Sequence, residues 1–182
     1  EMLRSLVGSE MCIRDRNIFN KHCDRVKMAN LAQMVNVLQS VILTEGPKMI
    51  KTPTYHVFHM YRHHQGATLL NSTLTGVGET GIGEWKVPEV TESVSEDAEH
   101  IITVTLNNLS ADEEKEIEIV IAGDEHVYSV KEAKVVSAEM HAHNTFDAPE
   151  LVKEEVFTAY KKCGNGIKVM LPPCSVVELR LQ

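Results

Sequence analysis

Beyond about residue 67, apolar side chains recur at every second position in short runs closed by turn residues, and that period constrains the chain more than any other feature. Such alternation turns one face of a strand toward a core and the other outward. HIITVTLNNL (100–109) sets Ile102, Val104 and Leu106 on one face. EIEIVIAG (116–123) sets Ile117, Ile119 and Ile121 opposite Glu116 and Glu118, with Val120 the exception. The polar stretch NNLSADEEK joins them, so the two are expected to be neighbouring antiparallel strands. AKVVSAEMHAH (133–143) and EEVFTAY (154–160) are further strand candidates. GIKVMLPPCSVVELRLQ reads as strand, Pro172-Pro173 turn, strand, with Val176, Glu178 and Arg180 alternating with Val177, Leu179 and Leu181. Short strands without a long helix predict a β-sandwich or jelly roll. GVGETGIGEW (76–85) is expected to be a Gly-rich loop, and it lacks the strand-to-helix context and Lys-Ser/Thr pair of a phosphate loop.

Residues 17–66 follow another pattern. Ile18, Phe19 and His22 have helical spacing, which Asp24-Arg25 interrupts. VKMANLAQMVNVLQSVIL has no clean period; a fully buried parallel strand followed by a loop would look like this, and so would a buried helix. In TPTYHVFHMYRHHQG, Thr52 is the expected N-cap, Pro53 the first helical position and Gly66 the stop. Tyr55, Phe58 and either His59 or Arg62 then give an amphipathic helix in need of a surface to cover. Fifty or so residues of this kind cannot enclose a core of their own and call for a larger sheet or barrel.

Composition narrows the function. With 18 Lys and Arg against 26 Asp and Glu the net charge is -8, and no basic run offers a nucleic-acid or anionic-membrane surface. No apolar run approaches the roughly 20 residues of a spanning helix. Aromatics are 5% and Trp85 is the lone tryptophan, thin for a sugar-stacking platform. Cys12, Cys23, Cys163 and Cys174 form no C-x-x-C pair and are expected to be reduced thiols of a cytosolic protein; a Cys163–Cys174 disulfide lacks support. Residues 1–16 stand apart. SLVGSEMCIRDR (Ser5 to Arg16) has no apolar core or cleavage site of a secretory signal. It resembles a translated sequencing-adapter tail, so residues 1–16 are expected to be non-native and the chain a C-terminal remnant of something longer.

Candidate chemistry is sparse. His56, His59, His63 and His64 crowd one helix, and His59 and His63 share a face at i, i+4. The Glu of H-E-x-x-H is missing and no third ligand is evident, so no metal site is assigned. His141 and His143 would share one side of a strand, where packing or hydrogen bonding is the better reading. Glu113, Glu114, Glu116 and Glu118, and Asp147, Glu150, Glu154 and Glu155, are expected on solvated faces. No nucleophile elbow is present. Gln33, in MANLAQMVN, lies at the C-terminal end of the candidate buried strand, where a barrel opens onto its active site. Its amide both donates and accepts, although spacing alone favours a structural role.

Two stretches carry a resemblance. NIFNKHCDRVKMANLAQMVNVLQSVILTEG with TPTYHVFHMYRHHQGATLL resembles the last part of the barrel in α-L-arabinofuranosidases of glycoside hydrolase family 51. MHAHNTFDAPELVKEEVF and VMLPPCSVVELRLQ resemble the closing strands of that family's β-sandwich. The resemblance implies a mainly β chain: a jelly-roll-like sandwich (67–182) preceded by the last strand (26–33) and helix (53–64) of an incomplete (α/β)8 barrel, the barrel part being 17–66. It implies retaining release of terminal α-L-arabinofuranosyl groups from arabinan or arabinoxylan, which needs two carboxyls about 5 Å apart. The family's glutamates follow the fourth and seventh strands, so no catalytic residue is assigned in this chain, which is expected to be inactive alone. Gln33 matches the glutamine that bonds the arabinose hydroxyls, and Asn30 is expected to support the barrel end. The family's N-terminal segment also contributes to the sandwich, so an exposed sheet edge is expected. No cofactor or metal is implied. An arabinose-containing oligosaccharide or polysaccharide is the implied partner, with a homo-oligomeric parent and a cytoplasmic location. The alternatives are a non-catalytic β-sandwich that binds carbohydrate or protein and, less favoured, a histidine-based metal protein.

Overall fold

The computed structural model describes residues 15–30, 34–37, 40–123 and 126–182. A first helix, α1 (15–21), ends in a turn over 22–25. The hairpin β1 (Ile42–Glu45) and β2 (Lys48–Lys51) leads into α2 (Pro53–Tyr61) and a 3-10 turn (Arg62–His64). Eleven strands follow: β3 (Thr68–Leu69), β4 (Glu79–Ile82), β5 (Trp85–Pro88), β6 (Val90–Glu96), β7 (Ile102–Asn108), β8 (Lys115–Val120), β9 (Val130–Ser137), β10 (Glu155–Val156), β11 (Tyr160–Cys163), β12 (Gly166–Leu171) and β13 (Ser175–Leu181). One sheet runs β10-β9-β13-β7-β6-β3 and a second runs β11-β12-β8, all antiparallel. The 76–85 stretch is the start of a hairpin, β4–β5, which turns at Gly83 with φ +61, a left-handed conformation that suits glycine.

The two sheets face each other as a β-sandwich. Ile102, Val104 and Leu106 of β7 pair with Leu181, Leu179 and Val177 of β13, and the whole row is buried. Ile167, Val169 and Leu171 of β12 close on it from the second sheet. Alternation thus located the inner faces. It did not locate the pairings. β7 and β8, expected as neighbours, lie in different sheets, and so do β12 and β13 on either side of Pro172-Pro173. Each apolar face gains more by meeting the other sheet across the core than by lying beside its sequence neighbour. Asn108 holds both crossings. Its buried Nδ2 donates to Glu113 O (2.8 Å), Pro172 O (2.9 Å) and Leu171 O (3.3 Å). Cys174, at φ +45, redirects the chain into β13 while its N–H donates to Ser110 O. Cys163 is exposed and Cys174 buried, and both are thiols.

The buried parallel strand expected over 26–33 has no counterpart in its described part. Residues 26–30 are irregular and mostly exposed, with Met28 78% accessible. A strand exists through its ladder, and among the described residues none pairs with this segment. The strand expected over 133–143 ends at Ser137, so His141 stands on a turn and His143 in the irregular loop after it. α2 begins where expected, but Thr52 is not a side-chain cap: its hydroxyl donates to Ser40 O at 2.7 Å. Gly66, at φ +72, follows the 3-10 turn as the expected stop.

Candidate functional site

Gln33, the one binding residue assigned from sequence, lies outside the described residues. Its surroundings are only partly on view. Asn30 is exposed, with its amide on Met28 Sδ at 3.6 Å. Downstream, Asn36 (φ +55) clasps the β1–β2 hairpin, donating to Thr44 Oγ1 at 2.8 Å and accepting from Thr44 N at 2.7 Å. Val35 bridges Ile42 in parallel sense. A cleft of about 450 Å³ opens between α1, Ala29-Asn30 and α2, lined by Phe19, Asn20, Phe58 and Tyr61 among others.

The organised polar site is elsewhere, on the outer face of the six-stranded sheet. Alternation places Thr91, Ser93 and Ser95 of β6, Thr103, Thr105 and Asn107 of β7, and Glu178 of β13 on that face. Such a row would ordinarily meet water. Here α1, α2 and the 3-10 turn cover it, and all of those residues are buried except Thr91, which is half-buried. Asn17 is the hub. Its Nδ2 donates to Thr91 Oγ1 (3.0 Å) and Asn107 Oδ1 (3.1 Å), and its Oδ1 accepts from Tyr61 Oη (2.7 Å) and Thr105 Oγ1 (3.2 Å). One side chain therefore joins both helices to two strands. Burial pushes the Tyr61 phenol well above its ordinary range. Lys21 of α1 pairs with Glu92 at the β6 edge.

The four helix histidines divide between this surface and a second contact. His56 and His59 share Glu154 Oε1, at 3.4 and 2.6 Å, and Lys134 approaches Oε2 of the same carboxylate at 3.4 Å. Glu154, expected on a solvated face, is therefore an internal partner with a side chain only 15% exposed. Its carboxyl is held below the usual range because the opposing charges and hydrogen bonds outweigh burial, which acts the other way. His63 Nδ1 meets Glu178 Oε1 at 2.6 Å. Burial pushes Glu178 up to about 7 and, with Arg180 next in effect, takes His63 down to about 4. His64 bonds Ser95 Oγ through Nδ1 (2.7 Å) and Thr105 Oγ1 through Nε2 (3.1 Å), and burial lowers it to about 4. Among the described residues no three His, Cys, Asp or Glu side chains form a metal-holding group. Glu178 is the residue sequence reading missed; the signal was one carboxylate inside an otherwise apolar run.

The two stretches that carried the resemblance have structural reasons. In HNTFD, Asn144 donates to Lys51 O (2.9 Å) and Val152 O (2.8 Å) and accepts from Val152 N (2.7 Å), tying a long loop to β2. In YHVFHMYRHHQ, Val57, Met60 and Tyr61 pack on Val136, Val152 and Val176 of the sandwich. Residues 16–175 match the family model described as the α-L-arabinofuranosidase C-terminal domain. The chain belongs to this family. The arabinofuranosidase domain is 39% identical over 166 residues to an intracellular exo-α-L-arabinofuranosidase of Bacteroides ovatus, covering 91% of this chain and 32% of that protein. It superimposes on the GH51 arabinofuranosidase of Xanthomonas axonopodis pv. citri with a TM-score of 0.92 at 35% identity, over 99% of this chain and 36% of the other. The Thermotoga maritima α-L-arabinofuranosidase shares the fold, with a TM-score of 0.81 at 19% identity over 98% and 39% of the two chains. The chain thus spans about a third of the length of these relatives. Among the described residues no helix is long and apolar enough to cross a membrane.

Proposed function

We propose that this arabinofuranosidase domain is the C-terminal part of a retaining glycoside hydrolase that releases terminal α-L-arabinofuranosyl groups from arabinan or arabinoxylan, and that it is inactive alone. The match to a C-terminal domain, over a chain that spans a third of its relatives, carries this reading. Residues 17–66 are then the end of the barrel, 67–182 the sandwich and 1–16 a foreign tail. The 66/67 boundary is one of ancestry rather than packing, since α2 shares a core with β9 and β13. Gln33 is the sugar-binding contribution: a neutral amide donates and accepts at the arabinose hydroxyls without adding charge beside the catalytic carboxyls. Those carboxyls belong to barrel strands outside this chain, so the active enzyme is the longer polypeptide, homo-oligomeric and cytoplasmic.

Assay on a chromogenic α-L-arabinofuranoside tests this. No turnover is expected from the 182-residue chain, and turnover is expected from the gene completed upstream of Asn17. Turnover by the short chain overturns the reading. In the complete enzyme Gln33→Ala should weaken transition-state binding by roughly 1–3 kcal/mol, and unchanged kcat/KM would remove Gln33 from the pocket. Titration of the short chain with arabinoxylan oligosaccharides should give no heat; binding would favour a carbohydrate-binding module instead.

A further inference from the structure

The end of α2 and its 3-10 turn lie on the sandwich through side chains whose bonding depends on protonation. The apolar part of this contact is Val57, Met60 and Tyr61 on Val136, Val152 and Val176. His56 and His59 hold the first part of the helix to Glu154, and His63 and His64 hold its end to the polar sheet face. The hydrogen bonds around His64 are consistent in one tautomer of the neutral ring. Thr105 Oγ1 has one hydrogen, and Asn17 Oδ1 (3.2 Å) and Ser93 O (3.3 Å) both lie in reach to accept it. With that hydrogen directed to Asn17 or Ser93, the imidazole donates at Nε2 and Nδ1 accepts from Ser95 Oγ, the tautomer on which the inference rests. Protonating Nδ1 would make that nitrogen a donor and leave the Ser95 hydrogen without its acceptor at a position only 4% exposed. His63 is constrained differently. Its Nδ1 shares one proton with Glu178 Oε1, and Glu178 Oε2 is buried without a partner. Around that pair stand Arg62 beside His63, Lys134 and Glu132 on β9, and Arg180 on β13. Around His64 stand His63, Arg62 and, across the cleft, Arg16 and Asp15 of α1. In both neighbourhoods cations outnumber carboxylates other than Glu178, so an added proton is opposed.

We propose that the contact between the helical layer and the sandwich is an acid-sensitive joint: neutral His64, beside the His63–Glu178 pair, seats the end of α2 on the polar sheet face, and its protonation releases that end while the sandwich core stays closed. This inference is independent of the proposed catalytic role. The signs follow from linkage. His63 and His64 both lie below the ordinary 6.5, at about 4, so their contribution is full above about 6.5 and is lost as pH falls to about 4. Glu178 lies above its ordinary 4.5, at about 7, so its contribution falls as pH rises across nearly the same window. Within the pair the two cancel, because folding only moves one proton from His63 to Glu178. His64 therefore sets the net acid response of this end of α2, while His56, lowered by burial, and its partner Glu154, held below the usual carboxylate range, add a response of the same sign at the start of the helix.

Amide hydrogen exchange on the 182-residue chain tests the joint, with opening constants corrected for intrinsic rates at pH 7, 5 and 4. From pH 7 to pH 4, α2 amides should open more by on the order of 10²-fold, while β13 amides keep their protection. Glu178→Gln should steepen the response of α2, because His63 then takes up a proton without compensation. His64→Gln should flatten it. Should either variant fail to fold, imidazole nitrogen NMR of the unmodified chain decides: His64 should remain the Nε2–H tautomer down to about pH 5. An ordinary titration near 6.5, an α2 opening that ignores pH, or joint opening of α2 and β13 would each overturn the proposal.

Discussion

The two faces of the six-stranded sheet bury side chains of opposite character. The inner face carries Ile102, Val104, Leu106, Val177, Leu179 and Leu181 against the second sheet. The outer face carries Thr91, Ser93, Ser95, Thr105, Asn107 and Glu178 against α1 and α2. Non-directional burial holds the first, and many residues share it. Directional bonds hold the second, and they converge on few side chains, chiefly Asn17 and the two histidines. A face of the first kind resists changes of pH and tolerates volume-conserving substitution. A face of the second kind specifies one docking geometry and depends on every donor having its acceptor.

Substitutions in each face can break or sharpen that contrast. The largest effect is expected inside: Leu179→Ala, at a position with no exposure, should cost about 2–5 kcal/mol by urea unfolding and lower the protection of both sheets together. A loss confined to α2 would show that the inner face is not the common core. Asn17→Ala comes next on the outer face. It leaves Tyr61 Oη and Asn107 Oδ1 short of a partner and should cost about 1–3 kcal/mol, read chiefly in α2 exchange and little in β13. Equal loss in both elements would merge the two faces into one cooperative unit. Tyr61→Phe removes one bond while Thr105 still donates to Asn17, so about 1 kcal/mol is expected from the same measurement. The smallest effect is in alkali. Burial raises the Tyr61 phenol, so its contribution is intact below about pH 10 and declines as pH rises beyond it. In a phenolate absorbance titration the signal lost in Tyr61→Phe should titrate well above the ordinary tyrosine range; ionisation near pH 10 would place the Tyr61 hydroxyl in water.

Much of the first face was legible and little of the second. Val177, Leu179 and Leu181 announce a buried face by period alone, and so do Ile117 and Ile119. The start of α2 was legible from Thr52-Pro53, because a proline fits the first turn whatever surrounds it. Gln33 stood out by its place after an apolar run, but the sugar-binding role proposed for it came from resemblance, since an amide there has no local signature of sugar binding. Glu154 was out of reach for another reason: a carboxylate beside a short strand looks the same whether water or a histidine faces it. The missing strand over 26–30 makes the converse point, that an apolar run becomes a strand only when another strand offers a ladder.

The order of residues by itself determined β7, β8, β12 and β13, their inward faces and the family to which the chain belongs, because period and turn chemistry act within a few residues. Only the tertiary structure decided that β7 and β8 part into separate sheets, that Asn108 ties both crossings, and that a polar face lies under two helices. Those outcomes depend on which distant surface covers each face, and the energy of that choice comes from contacts between segments far apart in the chain.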